Sequence, residues 1–298
     1  MTDDWNFDDA QGLPSEPESG APYFIIDGDK GSGTTTTYLS FGGEQVIFSL
    51  EGKVHRIIAE LRAQGVDTSR FHVYDVSRMY KTGEREIMAS AVDCHDRMVN
   101  ILGRVAKKGG VDWVVFDGLD IIARMEEYRM RYKAKLPLFS GVEWQFWNWR
   151  NFGMSDLLTA ARAAVKPTGA VCATFYWELQ DVIVGGKVVD TVKKRKKWLG
   201  KWEKENDVWL TTSRVDRLMP GKAAESKFYV TVFTSKLRTF PTGKQWDVTG
   251  TTLGEKLGPE AFHFSAEDLV REARTTVAED SVATAPGDVE EDPLADLS

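Results

Sequence analysis

Eight residues that follow a short apolar run carry the pattern of a phosphate-binding loop. The pattern G-x-x-x-x-G-K-[ST] needs two spaced glycines, then a lysine and a hydroxyl residue. Gly28 and Gly33 have this spacing, and Thr35 holds the position of the hydroxyl that binds Mg²⁺. Thr34 replaces the lysine. Because the backbone N–H groups of such a loop bind phosphate oxygens whatever follows the second glycine, the loop keeps part of its chemistry.

The missing lysine bears on catalysis more than on binding. It would normally offset charge that grows on the transferred phosphoryl group, and the loss of such a contact costs on the order of 10²–10³ in rate. Lys30 is the one cation in the loop, and three interpretations stay open. Lys30 turns back over the phosphates, or the chain binds nucleotide without hydrolysis, or the loop binds no nucleotide. The expected contacts with ATP are Gly28, Asp29, Lys30, Gly31, Ser32, Gly33, Thr34 and Thr35.

A second nucleotide motif is indicated by an apolar run that ends in an acid. Val111–Asp117 reads Val-Asp-Trp-Val-Val-Phe-Asp, which predicts a buried strand with a carboxylate at its end. Such a carboxylate holds Mg²⁺ directly or through water, so Asp117 and Thr35 form the predicted metal site. The alternative is an ordinary buried strand whose aspartate caps a loop.

Apolar runs and helical stripes alternate along the chain, which predicts an α/β fold with a mostly parallel central sheet and helices on both faces. The predicted strands cover residues 23–27, 45–50, 71–76, 111–117, 170–176, 207–212 and 228–234. The predicted helices cover residues 34–40, 54–61, 84–107, a segment from 121, and 155–166, with Ser155 as the cap of the last. Two glycines between apolar runs predict a late β-hairpin over residues 182–189.

Charge divides the chain into an ATP-binding domain, residues 21–274, and two acidic tails. Residues 1–20 hold six acids and residues 275–298 hold seven, with no Lys or Arg in 1–20 or 275–298. The remaining 254 residues therefore carry a net charge of +6. A basic body with disordered acidic tails indicates a polyanion partner, although the tails could also serve solubility alone. Two distant cysteines, no apolar run of membrane length and no secretory signal predict a cytoplasmic protein.

Four segments together resemble the RecA-like P-loop NTPases, and most of all the phage and plasmid Sak-type single-strand annealing and recombination ATPases. They are the glycine loop, Phe48-Ser49-Leu50-Glu51, residues 113–117 with Gly118-Leu119, and Thr234-Ser235-Lys236-Leu237-Arg238. The resemblance covers about residues 22–250. It implies a RecA-like core, ATP and Mg²⁺ as cofactors, and assembly into a homo-oligomer.

The resemblance also implies roles for three charged residues. Glu51 matches the glutamate that activates the attacking water, and its alternative is a plain strand-end acid beside Gly52. Lys236 and Arg238 match a basic pair that touches the γ-phosphate held by a neighbouring subunit. The alternative for this pair is solvation at the end of a strand.

A basic and aromatic segment follows the hairpin and predicts contact with single-stranded DNA. Basic side chains neutralise phosphates, and exposed aromatic rings stack on unpaired bases. The expected contacts are Lys193, Lys194, Arg195, Lys196, Lys197 and Trp198, with Trp202 and Trp209 as further stacking residues. The alternative is a solvated basic face whose tryptophans pack inward.

Two function classes fit these expectations. The first is an ATP-dependent recombination, repair or replication protein that binds single-stranded DNA. The second is a hydrolysis-deficient regulator or assembly factor, and a viral packaging-type motor is a weaker third possibility. The acidic C-terminal tail, residues 275–298, is a possible docking segment for a protein partner.

Overall fold

Strands and helices alternate in the computed structural model, which describes residues 20–76, 84–176, 178–184, 187–194, 202, 205–217 and 225–264. The strands are β1 (Tyr23–Gly28), β2 (Gln45–Ser49), β3 (Phe71–Asp75), β4 (Val111–Asp117), β5 (Val165–Tyr176), β6 (Glu178–Val184), β7 (Lys187–Lys194), β8 (Val208–Arg217), β9 (Glu225–Ser235) and β10 (Gln245–Asp247). The helices are α1 (Thr34–Leu39), α2 (Val54–Ala63), α3 (Glu84–Lys107), α4 (Leu119–Lys133), α5 (Trp144–Ala163) and α6 (Leu253–Leu257), followed by a 3₁₀ turn over Pro259–Phe262. The predicted tails lie outside the described residues, apart from Gly20.

Eight strands form one sheet in the order β10-β9-β8-β1-β5-β4-β2-β3. Every pair from β8 to β3 is parallel, whereas β9 and β10 are antiparallel to their neighbours. The predicted fold class is therefore confirmed as mixed α/β with a mostly parallel sheet. The predicted hairpin is confirmed as well, since β6 and β7 pair antiparallel in a separate two-stranded sheet.

The two faces of the sheet bury two separate hydrophobic clusters. Tyr23 and Ile25 of β1 belong to the cluster that includes residues of α3, α4 and α5. Phe24 and Ile26 belong to the opposite cluster, with residues of α1, α2 and α6. Alternation of side chains along a strand produces this division, and a parallel strand covered on both faces reads as a continuous apolar run. All six residues of β1 are accordingly buried.

Three helices on one face are joined by a buried polar cluster. The Glu126 side chain is fully buried between His95, whose Nδ1 lies 2.6 Å from Oε1, and Arg129, whose guanidinium donates to Oε2 at 3.1 Å. Gly153 of α5 permits this approach, because a Cβ there would come within 1.8 Å of Glu126 Oε2. His95 is thus a core residue.

The helix predicted over residues 155–166 exists, but both of its predicted ends and its predicted cap were wrong. Ser155 lies inside α5, which begins at Trp144 and ends at Ala163. Pro167 and Gly169, residue types that commonly end a helix, belong instead to β5, where the register against β4 shifts between Val165 and Ala170. Gly169 accommodates that irregularity, since a Cβ there would lie 2.6 Å from the backbone oxygen of Asp112.

Two further findings concern the described part of the chain. No helix in it combines the length and apolar character needed to cross a membrane. Cys94 and Cys172 are both buried thiols without a disulfide.

Candidate functional site

The loop and the two predicted acids meet at one edge of the sheet. Gly28, the last residue of β1, pairs with Tyr176 at the end of β5. Asp117 at the end of β4 pairs with Thr174 and, on its other side, with Ser49 at the end of β2. The carboxyl ends of parallel strands thus place the glycine loop, Asp117 and the segment after β2 together, which is where open α/β sheets bind their ligands.

Between β1 and α1 the chain forms a tight loop with an open face. The backbone N–H of Ser32 donates to the Asp29 oxygen at 3.0 Å, and Gly31 and Gly33 have φ of 84° and 97°. Such left-handed backbone strongly favours glycine. A Cβ added at Gly31 or Gly33 would meet no atom within 4 Å, so the space in front of the loop is open. The loop is thus open in front, and α1 begins directly after it at Thr34.

Behind the loop, hydroxyl groups take the place of the absent lysine. Thr34 is 2% exposed, and its Oγ1 lies 3.1 Å from Oγ1 of Thr212 on β8. The same Thr212 hydroxyl lies 2.6 Å from Ser32 Oγ and 3.0 Å from the backbone oxygen of Asp27. A Cβ at Gly28 would approach Thr212 Oγ1 to 2.1 Å, so only glycine fits there. The side chain at the lysine position therefore faces the sheet and brings no charge to the open side.

A buried carboxylate lies near the start of α1. Asp117 is 1% exposed, and Thr174 donates its hydroxyl to Oδ1 at 2.9 Å. Burial raises the pKa of Asp117 to about 6; the Glu51 charge adds to this rise, while Lys53 opposes it. Burial also raises the pKa of the phenols of Tyr38 and Tyr176; the Asp117 charge adds to both rises, and Thr35 opposes them. Asp117 and Thr35 thus both affect the pKa of the same two phenol groups, those of Tyr38 and Tyr176.

These oxygens suit Mg²⁺, the cation that the loop pattern implies. Mg²⁺ takes few protein ligands and keeps several water or phosphate oxygens. Among the described residues no group of three or more His, Cys, Asp or Glu could form an all-protein cage. One buried carboxylate, Asp117, and one loop hydroxyl, Thr35, match the sparse ligand set that Mg²⁺ uses beside a phosphate.

The segment after β2 brings an ion pair to this edge. The Lys53 ammonium contacts Oε2 of Glu51, whose side chain is 14% exposed, and it also lies 5.1 Å from the ring centroid of Tyr176. Gly118, with φ of 123°, borders the Glu51 side chain, since a Cβ there would lie 3.5 Å from Glu51 Cγ, an ordinary contact distance. Glu51 was predicted from its motif, whereas Lys53, which follows it in the sequence Glu-Gly-Lys, carries no motif signal.

Lys30 lies on the outside of the loop. Its side chain is exposed, and it forms no hydrogen bond or ion pair with any residue that the structure describes. Its expected contact with the phosphates stays a prediction.

Lys236 and Arg238 lie at the other edge of the sheet. They follow Ser235, which pairs with Val208, and Val208 pairs with Phe24 near the start of β1. The Lys236 ammonium lies 3.4 Å from Oδ1 of Asp207. The fold does not bring these two residues to the loop of their own chain, so the expected contact with a neighbouring subunit's nucleotide stays a prediction.

The predicted DNA-binding residues are described only in part. Lys193 and Lys194 belong to β7, and residues 195–198 (Arg195, Lys196, Lys197, Trp198) lie outside the described residues. Trp202 is fully buried and donates its indole N–H to the Met154 oxygen at 2.7 Å. Trp209 is 2% exposed. The expectation that these two tryptophans stack on bases was wrong, because Trp209 lies on the interior strand β8 and Trp202 packs in the core.

Two solved structures are similar to this chain at low sequence identity. No protein-family model and no curated protein matches the chain. It is similar to a solved prototypical ATPase from the type III secretion system of pathogenic bacteria, with 16% identity and a TM-score of 0.37, over 64% of this chain and 52% of that one. It is also similar to the assembled ATPase EscN in complex with its central stalk EscO from enteropathogenic E. coli, with 14% identity and a TM-score of 0.35, over 93% and 58% of the two chains. The chain thus spans little more than half the length of either structure.

Proposed function

We propose that this chain binds ATP with Mg²⁺ in the loop of residues 28–35 and hydrolyses it slowly. The observation that carries the proposal is the loop itself, with its open face at Gly31 and Gly33. Backbone N–H groups there are free of side-chain obstruction and can bind phosphate oxygens beside the start of α1. The buried pair of Thr35 and Asp117 supports the proposal, since it supplies the oxygens for the metal.

Each residue of the site then has a role. Thr35 and Asp117 would hold Mg²⁺, which neutralises charge on the phosphates when it is bound. Glu51 accepts a proton from the attacking water and orients it toward the terminal phosphorus. The burial of Thr34 against Thr212 predicts slow turnover, because no lysine reaches the phosphates from that position.

Gly33→Ala tests the loop, with Gly109→Ala as its matched control. Gly33 and Gly109 have φ of 97° and 99°, and a Cβ at either would meet no atom within 4 Å. Both variants therefore bear a similar backbone strain of about 1–2 kcal/mol. Gly109 lies beyond α3, ahead of β4 and so at the edge opposite Asp117. We expect Gly33→Ala to weaken Mg·ATP binding by on the order of 10-fold or more, since one charge-assisted contact is lost or displaced, and Gly109→Ala to leave it unchanged.

The measurement is equilibrium titration with a fluorescent ATP analogue in Mg²⁺, beside thermal unfolding of both variants. Equal affinities in the two variants would contradict a phosphate contact at this loop. A failure of the unaltered protein to bind ATP at all would overturn the proposal.

We infer further that the protein acts as a RecA-like ATPase of DNA recombination, repair or replication that binds single-stranded DNA. Three observations support this finer proposal: the +6 charge outside the acidic tails, the basic run that follows the β6–β7 pair, and the Sak-type resemblance of the four segments. A basic surface is attracted to any polyanion. Stacking of unpaired bases on aromatic side chains favours binding of single-stranded over double-stranded DNA.

Binding of a fluorescent oligo-dT tests this role. We expect its affinity to fall steeply with salt, and the double variant Lys193→Ala, Lys194→Ala to weaken binding and reduce the salt slope by roughly one to two. The double variant Lys107→Ala, Lys108→Ala removes the same charge from an exposed pair at the end of α3 and is the control. Fluorescence anisotropy over a salt series is the measurement. Equal losses in the two double variants would contradict a DNA site near the hairpin.

One observation favours the second function class, a regulator that binds ATP without hydrolysis. Thr34 is buried and uncharged, and Lys30 forms no hydrogen bond or ion pair with a described residue, so no contact in the structure holds a charge from either position against the loop. Phosphate release measured on the unaltered protein separates the classes, because a regulator would show tight Mg·ATP binding with no turnover.

A further inference from the structure

One cation lies beside the predicted catalytic acids, and it is not in the loop. Lys53 contacts the Glu51 carboxylate, and its ammonium lies 5.1 Å from the ring centroid of Tyr176. It also acts electrostatically on Asp117. By comparison, Lys30 is exposed and makes no such contact with a described residue.

The position of Tyr176 shows how near this cation is to the loop. Tyr176 pairs with Gly28, the first glycine of the loop, on the neighbouring strand. The Tyr176 phenol is also hydrogen-bonded to the side chain of Thr35, the last residue of the loop, so a group over the Tyr176 ring lies near the loop. The lysine side chain has a flexible four-carbon stem, so its compact ammonium charge can move over several ångströms. The Lys53 side chain is 47% exposed, so no core packing holds it in place.

We propose that Lys53 is the phosphate-binding cation of this site and replaces the lysine that position 34 lacks. The proposal rests on the proposed function, since it assigns a further residue to the same ATP site. In the structure Lys53 is held by Glu51 and Tyr176. When ATP binds, the Lys53 ammonium leaves the Glu51 carboxylate and contacts an oxygen of the terminal phosphate.

The exchange has a second effect on the same site. The ion pair engages Oε2 of Glu51 in the structure. Once Lys53 moves to the phosphate, that oxygen is released to accept a hydrogen bond from the attacking water. The arrival of the terminal phosphate therefore prepares the carboxylate that must act on it, and ADP, which lacks this phosphate, leaves the ion pair in place.

The experiment compares affinities for fluorescent ATP and ADP analogues in Mg²⁺ across the unaltered protein, Lys53→Met, Lys53→Arg and Arg56→Met. Arg56 is the matched control, because it is a cation three residues after Lys53, in the first turn of α2, and it forms a surface ion pair 2.9 Å from Glu60. We expect Lys53→Met to weaken ATP binding by on the order of 10-fold or more, the loss typical of a hydrogen bond to a charged group. ADP binding should change little, and Lys53→Arg should recover most of the preference for ATP. Arg56→Met should leave the ATP-to-ADP ratio unchanged.

Two results would overturn the proposal while leaving the proposed function intact. One is an unchanged ATP-to-ADP ratio in Lys53→Met, which would make Lys53 a surface ion pair of little energetic weight. The other is a loss of the ATP preference in Lys30→Met and not in Lys53→Met, which would assign the cation to the loop. Absence of nucleotide binding to the unaltered protein would instead overturn the proposed function, and this inference with it.

Discussion

Replacing Asp117 with asparagine is expected to stabilise the ligand-free protein at pH 8 by about 2–3 kcal/mol. Burial raises the pKa of this carboxyl to about 6, from an ordinary 3.8, so the folded state binds the proton more tightly than the unfolded state. The free energy of unfolding therefore falls as pH rises from about 4 through about 6. The amide of the Asp117→Asn variant would carry no charge and could still accept the Thr174 hydrogen bond. The fall in the free energy of unfolding with rising pH would therefore disappear.

Urea denaturation of both proteins at pH 8 and pH 4 measures the effect. The two proteins should have nearly equal stability at pH 4, where the carboxyl is protonated in both the folded and much of the unfolded population. Mg²⁺ should raise the stability of the unaltered protein at pH 8 and not that of Asp117→Asn. A variant that is less stable than the parent at pH 8 would contradict this account of the carboxylate.

The same pKa sets the pH dependence of Mg²⁺ binding. The metal competes with the proton for Asp117, and at pH 5 only about one carboxyl in ten is ionised. We therefore expect Mg²⁺ affinity to fall about tenfold between pH 8 and pH 5, which titration calorimetry at the two pH values would measure.

Glu51→Gln is expected to reduce ATP turnover by about 10²–10³ and to leave Mg·ATP binding nearly unchanged. A general base contributes roughly 10²–10⁴ to a rate, and glutamine keeps the shape of glutamate without accepting the proton. Because the change acts on the transition state, kcat should fall while the affinity for ATP is retained.

Glu44→Gln is the control, because Glu44 and Glu51 flank the same strand, β2, at its two ends. Glu44 contacts His72 at 2.7 Å on the far edge of the sheet and should not affect turnover. Phosphate release under saturating ATP gives kcat for all three proteins. Equal turnover in Glu51→Gln and the parent would show that Glu51 is only a strand-end acid.

Much of the architecture was predictable because strong local periodicity produced it. The bounds of α3 and β4 agree with the sequence prediction, because the apolar pattern continues without interruption along each segment. The start of α5 was missed because the residues from Trp144 to Phe152 are mostly aromatic and show no clean polar face. Pro167 and Gly169 looked like a helix stop, and only the pairing of β5 with β4 shows that they lie in an irregular strand.

The site was predictable where one segment carried the whole signal. The glycine loop needed only its own residues, and Asp117 needed the apolar strand before it. The contact between Thr34 and Thr212 joins residues 178 positions apart and cannot be read from either segment. Lys53 was missed for a related reason. Its place beside the site is visible only from its contact with Tyr176, which lies on a distant strand of the sequence.

The placement of β1 limits how the site can respond to a ligand. This strand is hydrogen-bonded to β5 on one side and β8 on the other, and its alternate side chains enter both hydrophobic clusters. The origin of the loop is therefore tied to the interior of the domain and cannot shift without opening both layers at once. Any closure around a nucleotide must come from groups at the rim, such as the start of α2 with Lys53, while the loop remains a fixed reference point.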